Sequence, residues 1–216
     1  MFADREDAAR QLATKLRGLA LHDPVVLAIP RGGVVTGAVL ARELGADLDV
    51  VLSRKLRAPY QPELAIGAVG EGGEVYLNHH IDGAVMLDKS YLEAELQRQL
   101  EAIQERQQLF RAGRARAART GRSVIITDDG IATGSTMIAA IRVVKTFKPR
   151  ELIVAVPVAP MRQLNEFRSL CDRFICLEAP ADFRAVGQFY RSFETVEDEE
   201  VVRLLREAAS VTQQPA

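Results

Sequence analysis

The stretch VIITDDGIATGST, residues 124–136, decides how this chain folds. It sits in a longer run, SVIITDD at 123–129, whose β-branched residues suit a buried strand and whose last two positions are the paired acids Asp128 and Asp129. A Gly/Thr/Ser turn follows, and then Met137, Ile141, Val144 and Phe147 recur at apolar helical spacing. Strand, turn and helix therefore succeed one another here, and the same order repeats on both sides. Upstream, PVVLAI at 24–29 is introduced by Pro24 and closed by Pro30, Arg31, Gly32 and Gly33; an apolar stretch then runs to Leu44, with Gly45 placed to end a helix. DLDVVLS at 47–53 is a second strand, which completes a βαβ unit. Downstream come ELIVAVPV at 151–158, a helix opened by Pro160 with Leu164, Phe167 and Leu170, and RFICLEA at 173–179. The pattern predicts an α/β protein with a parallel sheet of about five strands.

Other segments decorate that core. Ala9, Leu12, Ala13 and Leu16 give an amphipathic helix over roughly 5–18. Residues 65–77 hold two apolar stretches around Glu71, Gly72, Gly73 and Glu74, a β-hairpin pattern. Ser90 and Glu93 form a capping-box pair before a long helix to about Arg111, with Leu92, Leu96, Ile103 and Phe110 on its apolar face. Between Arg106 and Arg122 arginines recur without an intervening acid, at 106, 111, 114, 116, 119 and 122. The preferred reading is a solvated helix end and mobile loop, with a phosphate-binding lid as the alternative. The tail carries an aromatic-rich segment at 181–193, a final helix that Thr195 and Asp198 could cap, and a frayed VTQQPA end.

Composition excludes several classes. With 216 residues and 48% apolar content a packed core is feasible, and a net charge of -1 supplies no global field for nucleic acid or anionic lipid. No apolar run approaches the ~20 residues of a membrane helix, and MFADREDAAR lacks the basic flank and apolar stretch of a secretory signal, so the expected location is cytoplasmic. Cys171 and Cys176 form a lone C-x4-C without the further ligands that zinc needs, and read as reduced core thiols.

The chemistry concentrates at 128–136. In an open α/β sheet ligands sit beyond the carboxyl ends of the strands. Thr133, Gly134, Ser135 and Thr136, entering a helix, present backbone N–H groups and hydroxyls with the positive end of the helix dipole behind them, a phosphate cradle. Asp128 and Asp129 can accept hydrogen bonds from vicinal sugar hydroxyls and could sit near a hydrated magnesium ion. A Walker loop is excluded, because Gly-Lys-Ser/Thr is missing. Taken singly, the acids suit a strand-end turn and Thr133 or Ser135 an ordinary N-cap; their conjunction asks for a ribose phosphate.

That conjunction, hydrophobic strand, two acids, short linker and Thr-Gly-x-Thr, resembles the phosphoribosyl pyrophosphate (PRPP) signature of type I phosphoribosyltransferases. The resemblance spans about 24–178 and implies a three-layer, Rossmann-like fold, one domain over 1–216 with its core at about 20–178. A small hood would form from 179–193 and the N-terminal helix. It places the PRPP ribose and 5-phosphate on Asp128, Asp129, Gly130, Ala132, Thr133, Gly134, Ser135 and Thr136. Residues 30–33 look like the family's pyrophosphate loop, often built with a cis peptide, so Arg31, Gly32 and Gly33 are pyrophosphate ligands by resemblance. Lys55, at the end of the second strand, is chosen over Arg54 as a further basic contact. Phe183 and Tyr190 are the hood candidates for stacking on a base, whereas Phe189 is assigned to the core.

The hypoxanthine-type enzymes place an aspartate directly before the Thr-Gly pair; this chain has Ala132, so an in-motif general base is absent. Glu63 and Glu71 are read as solvated loop acids, and His79 and His80 as structural. The implied activity is magnesium-dependent transfer of phosphoribosyl from PRPP to a nucleobase or related amine, with pyrophosphate released and a homodimer expected. The competing expectation is a PRPP sensor of the same fold without transfer; a nucleic-acid-binding regulator fits the charge poorly.

Overall fold

The computed structural model describes residues 1–59, 61–77, 88–111 and 115–212, without the side chains of 61–63 and 210–212. His79, His80 and Arg114 lie outside the described residues, as do the side chain of Glu63 and the 213–216 part of the tail. The central sheet has five parallel strands in the order β2-β1-β6-β7-β8: β2 (Asp47–Val50), β1 (Val25–Ala28), β6 (Ser123–Thr127), β7 (Glu151–Val158) and β8 (Arg173–Glu178). Strand β1 pairs with β2 on one side, Val25 opposite Asp47, and with β6 on the other, Val25 opposite Val124. The direction of winding reverses between β1 and β6, which is where open α/β sheets bind ligands.

Strand side chains alternate between two cores. Val26, Ala28, Ile125 and Ile153 face the layer of α1 (Arg5–Leu16), α2 (Gly32–Leu44) and α6 (Asp198–Thr212), packing with Leu12, Leu40 and Leu205. Val25, Leu27, Val124, Ile126 and Val154 face α4 (Ser135–Thr146) and α5 (Leu164–Leu170), packing with Met137, Ile141 and Phe167. Both faces are covered, so the strands read as continuous apolar runs. Gly45 ends α2 at φ 61, in the left-handed region where the lack of a Cβ removes the clash.

Several expectations need correction. The second strand does not continue to residue 53: the chain leaves the parallel sheet after Val50 and starts β3 (Ser53–Ala58) in a separate antiparallel sheet, β3-β4-β5. The hairpin at 65–77 is present as the arms of β4 (Gln61–Gly70) and β5 (Val75–Leu77), and β3 adds a third strand to it. In α3 (Lys89–Arg111), Asp88 rather than Ser90 takes the capping position: its carboxylate accepts from the Ser90 N–H at 3.2 Å and from the Ser90 hydroxyl at 2.6 Å.

Among the described residues of the basic run, Arg111 and Arg119 are buried in ion pairs rather than solvated at a helix end or free to form a lid. Arg111 and Arg119 are each 3% exposed. Arg111 donates to Asp49 through Nε at 3.1 Å and Nη2 at 3.2 Å, and its Nη1 pairs with Glu71. Arg119 donates to Glu71 at 2.6 Å and lies over the Phe147 ring. Arg122 pairs with Asp23 and Asp47. Glu71, read as a solvated loop acid, has a side chain only 1% exposed and holds the hairpin turn down onto α3 and β2. Cations without local acids in the sequence find acids from two other strand ends, and burial makes each pair depend on the other. Cys171 and Cys176 are free, half-buried thiols, and burial pushes both up to about 11.

Candidate functional site

The loops after β1 and β6 meet at the switch point. A Cβ built on Gly33 would lie 2.9 Å from Asp128 Cα, and one built on Gly32 would lie 2.0 Å from Asp129 Oδ2. The glycine pair is thus required first by the acids: only a residue without a side chain lets the turn lie against them. The Pro30–Arg31 peptide is cis, and Arg31 leads into α2 with no side chain capping the helix.

Asp128 and Asp129 are both partly buried at the end of β6. Asp128 accepts from the Asp129 N–H at 2.9 Å. Asp129 Oδ2 accepts from Arg5 Nε at 2.8 Å, across 124 positions of sequence. Burial raises both carboxyls above the ordinary range; repulsion from Asp129 adds to the rise at Asp128, and the Arg5 hydrogen bond and charge oppose it at Asp129. The pair stands as two acids in a poorly hydrated corner with one cation against them.

The turn into α4 is open. Gly134 occupies the N-cap position at φ 79, and no side chain caps the helix. Thr133 and Ser135 do not act as caps; their hydroxyls lie 2.9 Å apart and bond to each other. The first-turn N–H groups of α4 are therefore left to an outside acceptor, with the helix dipole behind them. Ala132, Thr133 and Thr136 are exposed, while Gly130 is packed under Val158 and Val186. Gln163, which the sequence did not mark, braces the cradle by donating to the Thr133 carbonyl at 3.0 Å.

A cleft of about 570 Å³ opens beside these loops. Arg31, Arg54, Lys55, Arg57 and Arg106 line it, together with Thr136, and no carboxylate does among the described residues. Lys55 reaches it from the start of β3 rather than from the end of the second strand, and both Arg54 and Lys55 face the same space. The far wall is α3, through Gln99, Ile103, Arg106 and Phe110. Glu95, one turn earlier, is buried on the same side, accepting from the Arg57 N–H at 3.1 Å and from Gln99 at 3.1 Å. Those polar residues share the stripe of Ile103 and Phe110, and the apolar spacing alone gave no sign that they face inward. The N-terminal end of α6 reaches the same region: Asp198 accepts from Arg106 at 2.7 Å, and Glu197 from Arg31 at 3.4 Å.

The hood candidates separate. Tyr190 is 5% exposed, packs on Phe2 and Phe193, and donates from its hydroxyl to the Asp129 carbonyl at 2.5 Å. Burial pushes its phenol far above the ordinary value, so the hydroxyl remains a donor. The ring is part of the core and braces the acid pair, which removes it as a base-stacking face. Phe183 is half-buried and stacked on Phe189, with ring centroids 5.4 Å apart. The N-terminus is stitched to this segment by the Phe2 N–H donating to Phe189 O at 2.8 Å and the Arg191 N–H to Phe2 O at 2.9 Å.

The paired acids, the uncapped helix entry and the glycine turn thus meet at the switch point of a parallel α/β sheet, the place where proteins of this architecture bind ligands. The family model described as phosphoribosyl transferase domain matches residues 2–193, and the chain belongs to that family. In Mycobacterium tuberculosis (strain H37Rv), the protein named "Putative phosphoribosyl transferase Rv0571c" is 44% identical over 208 residues, 96% of this chain and 47% of that protein; a protein of strain CDC 1551 matches equally. The chain spans about half the length of these curated relatives. The crystal structure of TT1426 from Thermus thermophilus superposes with a TM-score of 0.90 at 46% identity, over 95% of this chain and 98% of that one. Among the described residues no helix is long and apolar enough to cross a membrane.

Proposed function

We propose that the protein transfers the 5-phosphoribosyl group of PRPP to a nucleobase or related amine. The observation that supports this best is the convergence at one switch point of the cradle, the acid pair and the glycine turn, with Gly33 packed against Asp128 and the cationic cleft opening beside them. In this reading Thr133, Gly134, Ser135 and Thr136 bind the 5-phosphate, with Gly130 and Ala132 shaping the turn. Asp128 and Asp129 accept hydrogen bonds from the ribose hydroxyls, and Arg31, Gly32, Gly33 and Lys55 receive the diphosphate. The C1–O bond to the diphosphate breaks as the acceptor nitrogen bonds to C1, and the proton displaced from that nitrogen leaves to solvent. The chain contributes orientation and charge stabilisation of the leaving group. Glu71 takes no part as a base, because Arg111 and Arg119 hold its carboxylate in a buried ion cluster.

Magnesium held mostly by substrate phosphates and water needs few protein carboxylates. Among the described residues no group of three or more His, Cys, Asp or Glu side chains forms a cage, and one oxygen of Asp129 is already engaged by Arg5. These residues fit an ion that arrives on the diphosphate, with Asp128 and Asp129 to hold its water shell. Once bound, the ion would neutralise charge on the departing diphosphate. The test is pyrophosphate release from PRPP, with and without magnesium, across purine and pyrimidine bases, alongside calorimetric PRPP binding. Base-dependent release supports the transferase. Binding without release by any base favours the sensor, and no binding removes the assignment of residues 128–136.

A further inference from the structure

Arg5 occupies a poor position for an arginine judged by its helix alone. It opens α1, where the helix dipole disfavours a cation, and its side chain is 10% exposed. The helix gains no cap from it, since Asp4 serves as the N-cap and accepts from the Asp7 N–H. The groups that hold the guanidinium come instead from the site and from the last hood residue and its successor. Nε donates to Asp129 Oδ2 at 2.8 Å, Nη1 donates to the Glu194 carbonyl at 2.8 Å, and the guanidinium carbon sits 3.8 Å from the centre of the Phe193 ring. A Cβ on Gly32 would lie 3.1 Å from Arg5 Nε as well as 2.0 Å from Asp129 Oδ2, so the ion pair occupies space that the glycine leaves.

Two adjacent carboxylates in a poorly hydrated corner repel one another, and either can relieve the repulsion by turning away or by binding a proton. The guanidinium opposes both at Asp129. It takes Oδ2, leaving Oδ1 outside that contact, and the Tyr190 hydroxyl holds the backbone of the same residue at 2.5 Å. A carboxylate fixed before the ligand arrives loses less freedom when it accepts the hydrogen bond of a hydroxyl. We infer that Arg5 is a positioning residue for the sugar: it presents Asp129 as an oriented carboxylate to a ribose hydroxyl and has no role toward the diphosphate. The inference rests on the proposed reading of Asp129 as a ribose contact.

The test compares two probes on the full chain by calorimetry with magnesium present. PRPP uses sugar and diphosphate contacts, whereas inorganic pyrophosphate uses the diphosphate contacts alone. Arg5→Gln should weaken PRPP binding about tenfold or more, the size expected for losing a hydrogen bond to a charged group, while pyrophosphate affinity stays within about twofold. Arg5→Lys, which restores charge without the planar fork, should recover part of the PRPP affinity. Phe193→Leu, which removes the ring beneath the guanidinium, should shift the same ratio less. A merely structural role would move both probes together. If Arg5→Gln does not fold, the ratio in Arg5→Lys and Phe193→Leu decides. Equal weakening of both probes, or of neither, in variants that keep the wild-type melting temperature overturns the inference. If the wild-type chain binds no PRPP, the reading of the site fails first and this inference goes with it.

Discussion

Two clusters of acids and arginines lie in this molecule, one at the end of β6 and one beneath the hairpin turn, and they serve opposite ends. At β6, Asp128 and Asp129 face a single close guanidinium among the described residues, and the turn beside them has exposed residues and an uncapped helix. Under the hairpin, Asp49 and Glu71 are enclosed by Arg111 and Arg119, each carboxylate holding more than one donor, with the Ala117 N–H also donating to Asp49 at 2.9 Å. The same residue types thus make an open corner, the proposed ligand site, where partners are few and a clamp where partners are complete. Counting charges along the chain does not separate the two cases; counting the donors on each carboxylate does.

Removing charge from the clamp should have the largest effect. Glu71→Gln leaves Arg111 and Arg119 short of a counter-ion in a buried place, and should cost about 3–5 kcal/mol in urea unfolding. A loss below about 1 kcal/mol would mean the hairpin cluster is no more structural than a surface pair. Burial as such is sharpened by the thiols. With both cysteines raised from 9.0 to about 11, the thiolate fraction at pH 8 falls about a hundredfold, and iodoacetamide should label the native chain that much more slowly than the denatured one. The sign follows from linkage. The folded state prefers the neutral thiol, so this contribution to stability is complete below about pH 9 and is lost as pH rises through about 11.

At the open cluster the expected effect falls on binding. Asp129→Asn should raise the calorimetric dissociation constant for PRPP about tenfold while costing less in urea unfolding than Glu71→Gln, because relief of the repulsion from Asp128 offsets the lost Arg5 ion pair. A greater loss of stability than at Glu71 would erase the distinction between the clusters. The smallest effect belongs to the cleft wall. Lys55→Gln should weaken inorganic pyrophosphate binding a few-fold, and Arg54→Gln less. Both losses should shrink as salt is raised, since these cations line an open cleft where charge is screened. A larger loss at Arg54 would reverse the choice between them.

Much of the fold was legible because its signals are local. All five parallel strands, the helices between them and the helix stop at Gly45 follow from β-branched runs, spacing and turn residues within a few positions of one another. The stretch 128–136 was legible as a possible site for the same reason, since acids, glycine and hydroxyls are contiguous. The chain's departure into β3 after Val50 was not, because the run of apolar residues through Leu52 passes over the break without a proline or glycine to mark it. Nor was the inward face of α3, where Glu95 and Gln99 occupy positions that polarity assigns to solvent.

What the sequence by itself determined is therefore the order of elements and the place where phosphate chemistry is to be sought, each written in neighbouring residues. Tertiary structure alone decided which charges meet. Arg5 reaches Asp129 across 124 positions, Arg111 reaches Asp49 across 62, and Tyr190 is buried with its hydroxyl on the Asp129 carbonyl. The physical reason is that an ion pair or a buried hydrogen bond depends on distance and hydration in space, and no periodicity along a chain encodes either.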